Sequence, residues 1–247
     1  MRVEYAELSL KGGRETNQDR ISVAVAEDAA LLIACDGMGG HAEGERAAEI
    51  AQQIVLERFW HTPQPVLDPL GFLHLSMGAA HVGVVTLGLP LPLESRPRAT
   101  CALCLVQQSS AYWAHVGDSR IYLLRHGTVA ARTRDHSHVE LLVREGLINP
   151  GQVQNHPLRN FVESCLGGEP ILPEMAINPR RALLPGDLLL VCTDGFWANL
   201  DESLLASAFA ATDKPLRDTL ASLSAQALLN AGPLSDNSSV AALRFLD

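Results

Sequence analysis

The sequence is poor in several features, and each shortage excludes a class of protein. No apolar run approaches the roughly 18 residues that a membrane-spanning helix needs, and the opening residues MRVEYAELSLKGGRE lack the apolar core of a signal peptide. Lys and Arg number only 19 against 28 Asp and Glu, a net charge of -9, which argues against a nucleic-acid partner because phosphate backbones select basic faces. We therefore expect a cytoplasmic protein that binds neither membranes nor nucleic acids.

Cysteine is also scarce. The 5 cysteines are an odd number, and three of them lie inside apolar runs, as small buried side chains do in a reducing compartment. Cys101 and Cys104 form a CxxC pair, but they fall in a predicted strand, where positions three apart point to opposite faces. Because no second pair accompanies them, a place in the core is favoured over zinc binding or redox chemistry.

What the sequence does have is an apolar run that ends in an acidic, glycine-rich turn, LLIACDGMGGHAEGE at residues 31–45. Residues 29–35 predict a buried strand that Asp36 closes, and residues 43–60 carry apolar side chains at helical spacing. The turn lacks the Lys-Ser/Thr pair of a P-loop and the alternating acidic residues of an EF-hand. Taken alone, this stretch fits equally a cation site and a turn in which Asp36 caps backbone amides.

Three more aspartates stand at the ends of predicted strands: Asp19, Asp194 and Asp236. The spacing between Asp19 and Asp36 suits one antiparallel excursion, so these two can lie on neighbouring strands. Like charges gathered in a partly buried cleft repel each other, and cations are the usual compensation. Since no cluster of His and Cys accompanies the carboxylates, Mg²⁺ or Mn²⁺ is favoured over zinc.

Predicted strands cluster at the start, middle and end of the chain and are separated by helix pairs, which favours an α+β layered sandwich over alternating parallel units. Strands at 99–107, 111–116 and 121–125 predict an antiparallel meander, with Gly117-Asp118 as a tight turn. Further helices are predicted at 69–87, 137–146, 202–211 and 215–230, and an irregular surface segment at 149–166.

Seven segments resemble, in order, the motifs of the bacterial branch of the metal-dependent, type-2C protein phosphatases. They are RETNQDR (14–20), CDGMGGHAEG (35–44), VGDSRI (116–121), RDHSHVELLVREG (134–146), HPLRN (156–160), GDLLLVCTDG (186–195) and Asp236-Asn237. A match to any one of these motifs is weak evidence, but seven matches in the same order over nearly the whole length are specific for the family. The resemblance implies a single domain over residues 1–247, built as a four-layer α-β-β-α sandwich with two central antiparallel sheets flanked by helix pairs, and with a flap at about 138–166.

The resemblance also implies a function and a set of site residues. The function is hydrolysis of phosphoserine and phosphothreonine in proteins, in opposition to a Ser/Thr kinase, by a monomer with two Mn²⁺ or Mg²⁺ ions and a third, weaker ion. By matching position, Asp36 bridges two metals, the Gly37 carbonyl binds one, Asp194 and Asp236 hold the other, Asp19 supports the site, Arg14 binds phosphate, and Asp118 belongs to the third ion. Two cations roughly 3.5 to 4 Å apart can lower the pKa of a shared water and clamp an in-line displacement.

Departures from the family pattern leave some assignments open. Gln18 stands where many eukaryotic members have glutamate, and Met38 replaces their histidine. His41 is either the proton donor to the leaving alkoxide or a turn histidine bonded to backbone. Two other functions fit the sequence: a non-catalytic, metal-dependent phosphoprotein-binding or sensor module on the same fold, and a metal-stabilised structural protein whose Asp-Gly turns are only turns.

Overall fold

The computed structural model describes residues 1–38, 42–210 and 214–247. The strands, in chain order, are β1 (Val3–Leu10), β2 (Asp19–Val25), β3 (Ala29–Met38), β4 (Arg98–Ala99), β5 (Cys101–Gln107), β6 (Ser110–Val116), β7 (Arg120–Arg125), β8 (Thr128–Arg132), β9 (Leu166–Gly167), β10 (Ala176–Ala182), β11 (Leu188–Cys192) and β12 (Ser238–Phe245). The helices are α1 (Ala42–His61), α2 (Pro69–Gly88), α3 (His138–Arg144), α4 (Asp194–Trp197), α5 (Glu202–Ala208) and α6 (Leu216–Ala231), with 3-10 turns at Leu93–Ser95 and Pro150–Asn155.

The strands form two sheets, and the paired strands are antiparallel. The first sheet has the order β1-β12-β11-β7-β8, and the second has the order β10-β6-β5-β3-β4-β9, with β2 paired to β3. Side chains that alternate along each strand supply two different cores. On β3, Leu31 and Ile33 pack with α1 and α2, whereas Leu32 packs between the sheets with Leu189 and Leu243.

A third core joins the outer face of the first sheet to α4, α5 and α6, where Leu190 and Val240 pack with Leu220. Helices therefore cover both outer faces, and the predicted α-β-β-α sandwich is confirmed. The prediction for the CxxC pair is also confirmed, because Cys101 lies in the core beneath α1 and α2 while Cys104 lies between the sheets, both unbridged.

Two strand predictions were incomplete or wrong, and several short elements were not predicted. Asp36 does not close its strand, since β3 continues to Met38. The predicted meander is wrong at its third strand: β5 pairs with β6, but β7 pairs with β11 and β8 in the other sheet, so the turn at Gly117 crosses between the sheets. Local propensity does not show which sheet a strand joins. Strands β8 and β10 and the short helix α4 were missed.

The helix predictions were more accurate. The helices predicted at 43–60, 69–87, 137–146 and 215–230 correspond to α1, α2, α3 and α6. Ser137 accepts a hydrogen bond from the Glu140 N–H, as the predicted N-cap requires. The helix predicted at 202–211 is shorter, because α5 ends at Ala208. Its predicted last residue lies outside the described residues.

Helix α2 corrects the expectation about apolar runs. Its 20 residues are long and apolar enough, by length and composition, for a membrane span. In the fold, however, its buried residues recur at helical spacing on one face, and Leu73, Met77 and Ala80 pack in the same core as β3 and α1. The apolar character of α2 is therefore that of a helix packed on a sheet.

Candidate active site

Four aspartates meet at one end of the sandwich because of how the strands pair. Asp19 and Asp36 lie on the neighbouring strands β2 and β3, as the sequence predicted, and the structure makes them direct register partners. Asp194 follows β11, and Asp236 precedes β12, which pairs with β11. A cleft of about 560 Å³ opens here, and its lining residues include Arg14, Asp36, Gly37, Asp118, Asp194 and Asp236. Asp19 is only 3% exposed and lies outside the lining, behind the others.

Three of these carboxylates have an oxygen with nothing to bind. Among the described residues, Oδ1 of Asp19, Asp118 and Asp194 is buried without a hydrogen-bond partner. A buried acceptor left unpaired is costly, and more so when it carries charge. A cation would satisfy such oxygens on Asp118 and Asp194, which line the cleft, and on Asp19 behind them.

Burial and mutual repulsion raise the pKa values of the site carboxyls. Burial raises the pKa of Asp19 to about 7, although hydrogen bonds from Ser239 and Thr193 oppose the rise. Burial, followed by the charge of Asp236, raises the pKa of Asp194 to about 6. For Asp36, burial and then the charges of Asp19 and Asp194 raise the pKa well above its usual range. Such a site favours protons or cations over bare carboxylates.

The pKa of Asp118 is likewise raised well above its usual range, by burial and then by the charge of Asp194. Because the charge of Asp194 acts on Asp118, we group Asp118 with the other carboxylates of the cleft. The residue types fit divalent magnesium or manganese, because every candidate ligand offers oxygen. The site is not preassembled for a metal ion. Within residues 1–38, 42–210 and 214–247, no group of three or more His, Cys, Asp and Glu side chains is arranged to hold one.

Arg14 is already paired inside the cleft. Its Nε donates to Asp236 Oδ1 at 2.9 Å and its Nη2 donates to Asp236 Oδ2 at 2.7 Å, a bidentate ion pair. The sequence predicted this arginine as a phosphate ligand and did not predict its pairing with a candidate metal ligand. The hydrogen bonds and charge of Asp236, and then the charges of Asp194 and Asp36, raise the pKa of Arg14.

Asn237 fastens the loop that carries Arg14. Its Nδ2 donates to the carbonyls of Lys11 and Thr16 at 2.8 and 2.9 Å, and its Oδ1 accepts from the Gln18 N–H at 2.8 Å. Gly12 adopts φ +62°, and a Cβ there would meet the Asp236 carbonyl oxygen, so the loop approaches the β12 end closely. Sequence reasoning matched Asn237 to a motif but gave it no role. An amide next to a site aspartate was the available signal.

Two buried hydroxyls connect Asp36 with the turn that holds Asp118. Thr100 Oγ1 accepts from the Asp36 N–H at 3.0 Å and lies 2.6 Å from Ser119 Oγ.

A second threonine holds Asp19. Thr193 Oγ1 donates to Asp19 Oδ2 at 2.8 Å and accepts from the Ser239 N–H at 3.0 Å. These threonines were missed, because a buried threonine in a strand looks like any β-branched core residue.

A partly buried arginine supports the other side of the cleft. Arg120 donates to both carboxylate oxygens of Asp135 at 2.8 Å and stacks 3.2 Å above the Trp197 ring. Trp197 Nε1 donates to the Asp118 carbonyl at 3.0 Å. One cluster thus ties β7, α4 and the turn of Asp118 together.

The segment expected as a flap forms a wall of the cleft. Backbone bonds of 2.9 and 2.8 Å join His138 to Phe161 and Glu163 to His136, making a short two-stranded piece. Asn160 and Val162 line the cleft, whereas residues 163–165 line a second cavity of about 860 Å³. His41, the candidate proton donor, lies outside the described residues together with Gly39 and Gly40.

Comparisons with known proteins agree with this geometry. The family model described as "Protein phosphatase 2C" matches residues 94–141. The chain is 33% identical over 196 residues to the serine/threonine protein phosphatase PstP of Mycobacterium tuberculosis, covering 78% of this chain and 36% of that protein. It is 32% identical over 185 residues to a putative protein phosphatase 2C-type of Streptococcus pyogenes, covering 74% of each. The chain thus spans about a third of the length of the PstP relatives.

A solved structure extends the similarity to the whole described fold. It is the catalytic domain of the serine threonine protein phosphatase PstP in complex with two manganese ions. It superposes with a TM-score of 0.83 at 28% identity and covers 99% of each chain. Two antiparallel sheets with flanking helices are therefore shared architecture.

Proposed function

Since the chain belongs to the protein phosphatase 2C family, we propose that it hydrolyses phosphoserine and phosphothreonine in proteins with the help of Mn²⁺ or Mg²⁺. The observation that carries the proposal is the cluster of buried, partly unpartnered carboxylates that shares one cleft with Arg14. Two bound cations would supply a water of lowered pKa and charge stabilisation for an in-line displacement. No cysteine or serine nucleophile is needed for that chemistry.

The residues of the chain take the following roles in this proposal. Asp36 would help to hold both core ions, the Gly37 carbonyl would help to hold one of them, and Asp194 and Asp236 would hold the other. Asp19 supports the site from behind, and Asp118 belongs to a third, weaker ion. Their burial and raised pKa values support these roles, because cations relieve the same repulsion that protons relieve.

Arg14 binds the phosphate group of the substrate in this proposal. A guanidinium offers a planar fork that matches phosphate oxygens and stabilises charge as the ester P–O bond breaks and water oxygen joins phosphorus. The leaving serine or threonine alkoxide takes a proton, for which His41 is the candidate donor. Asn237 keeps the Arg14 loop in place through its three hydrogen bonds.

The finer biological statements belong to the same proposal. We infer a single catalytic domain over residues 1–247, with the flap at about 138–166 beside the cleft. The protein acts as a monomer in the cytoplasm, and its substrates are the phosphorylated targets of a cognate Ser/Thr kinase. The net charge of -9 supports the absence of a nucleic-acid partner.

The test is hydrolysis of a phosphothreonine peptide by the full chain, with release of inorganic phosphate as the readout. We expect no turnover in EDTA, turnover after addition of Mn²⁺, and at least a hundredfold loss for Asp36→Asn, on the order of what one transition-state contact supplies. Asp28→Asn is the matched control, because it makes the same change at an exposed turn. A metal-saturated protein without turnover would refute the proposal and favour the non-catalytic binding module.

A further inference from the structure

The carboxylate of Asp236 is engaged by nitrogen donors of its own chain. Its Oδ1 accepts from Arg14 Nε at 2.9 Å and from the Asn237 N–H at 2.8 Å, and its Oδ2 accepts from Arg14 Nη2 at 2.7 Å. An ionised carboxylate has about four lone-pair positions, and three of them are occupied here. A cation bound at both oxygens of Asp236 and the bidentate pair with Arg14 therefore exclude each other.

Arg14 occupies the place that a cation would take in the charge balance of the cleft. Besides Asp236, the charges of Asp194 and Asp36 act on its guanidinium. The described carboxylates form no preassembled cage, and the bidentate pair with Arg14 engages both oxygens of Asp236. The pair is half-exposed, with side chains 58% and 40% accessible, so a divalent ion can compete for it.

We propose that Arg14 is an internal counter-ion that competes with the divalent cation for Asp236, so that metal loading releases the guanidinium toward phosphate. This rests on the proposed function, in which Asp236 is a metal ligand and Arg14 a phosphate ligand. The same arginine then opposes metal binding and promotes substrate binding. It follows that removing Arg14 raises the affinity of the chain for the divalent cation and lowers its affinity for phosphate.

The test is calorimetric titration of the metal-free full chain with MnCl₂ at low ionic strength. We expect Arg14→Gln to bind Mn²⁺ about two- to fivefold more tightly than wild type, the range that exposed ion pairs support. Arg14→Lys keeps the charge but loses the bidentate fork, so its affinity for Mn²⁺ should lie between those of wild type and Arg14→Gln. Raising the salt concentration should shrink the difference, because exposed charges are screened.

Arg2→Gln is the matched control. Arg2 forms the same kind of bidentate, exposed pair with Asp247, with Nε to Oδ1 at 2.9 Å and Nη2 to Oδ2 at 2.8 Å, and neither residue lines the cleft. The control should bind Mn²⁺ as wild type does. If Arg14→Gln binds Mn²⁺ with equal or lower affinity than wild type, the counter-ion role is wrong.

Two further outcomes separate this inference from the proposed function. An Arg14→Lys variant identical to wild type would assign the effect to charge alone and overturn the role of the bidentate pair. A wild-type chain that binds no Mn²⁺ would instead refute the metal-dependent function itself. Inorganic phosphate, titrated onto the Mn²⁺-loaded variants, should bind more weakly to Arg14→Gln than to wild type.

Discussion

Single hydroxyl groups decide how the buried carboxylates of the cleft are held. Thr193 is fully buried, and its Oγ1 both donates to Asp19 Oδ2 and accepts from the Ser239 N–H. Without that hydroxyl, Asp19 would lose one hydrogen bond that lowers its pKa, and a buried N–H would lose its acceptor. A residue with no direct part in metal binding thus contributes to the pKa of a candidate site residue.

We expect Thr193→Val to lower the free energy of unfolding by about 1–3 kcal/mol, the cost of a buried polar group left without its partner. The Mn²⁺ affinity should fall as well, because the proton on Asp19 becomes harder to displace. Thr193→Ser, which keeps the hydroxyl, is the control and should stay close to wild type. Urea unfolding in EDTA and calorimetric titration with Mn²⁺ measure both effects; a Val variant as stable as wild type would contradict the expectation.

At the scale of elements, the side of the cleft that carries Asp118 is supported by contacts between parts of the chain that are distant in sequence. Arg120 on β7 pairs with Asp135, stacks on Trp197 of α4, and lies near Glu202 of α5. Both side chains of the pair are largely shielded from solvent, at 11% and 7% exposed. Breaking such a pair from one side leaves a buried charge without compensation, which costs far more than breaking an exposed one.

Asp135→Ala should therefore lower the free energy of unfolding by about 3 kcal/mol or more. Asp247→Ala removes the partner of the exposed Arg2 and should cost at most about 1 kcal/mol. Asp135→Asn keeps an acceptor for Arg120 and should recover part of the loss. Urea denaturation of the three variants measures this, and equal losses for Asp135→Ala and Asp247→Ala would show that the buried pair contributes little.

At the scale of the whole molecule, the site carboxylates link stability to pH and to metal. The pKa of Asp19 is about 7 in the folded chain against an ordinary value of 3.8, so between these values the folded state binds more protons than the unfolded state. Stability from this group is present at low pH and is lost as the pH rises through 7. Burial lowers the pKa values of His115 and His136, and these groups act in the opposite direction.

The difference between wild type and Asp19→Asn isolates the carboxylate. In EDTA, raising the pH from 6 to 8 should lower the free energy of unfolding of wild type by about 1.4 kcal/mol relative to that of Asp19→Asn, which carries no titrating group at position 19. For a chain of this size that is a difference of about 3–5 °C in Tm, measured by calorimetry at several pH values. Saturating Mn²⁺ should stabilise wild type more at pH 8 than at pH 6, since fewer protons must be displaced. Parallel pH profiles of the two proteins would exclude the raised pKa.

Much of the fold was determined by the sequence through local periodicity and turn chemistry. The apolar spacing of α1 and α2, the cap at Ser137 and the facing of Cys101 and Cys104 were all predicted from short-range rules. The carboxylates could be named because each was predicted at the end of an apolar strand, although β3 continues past Asp36 to Met38. The placement of Asp19 and Asp36 on neighbouring strands also followed from the number of residues between them, whereas their exact register came from the structure.

Only the tertiary structure decided how those groups are held. It placed β7 beside β11 in the first sheet rather than beside β6. The partner of a strand depends on contacts with distant parts of the chain, which local sequence patterns do not show. The tertiary structure also paired Arg14 with Asp236, 222 positions away along the chain, and bound Thr193 to Asp19 across 174 positions. Such contacts depend on the assembled distances between side chains, and short-range patterns carry no information about them.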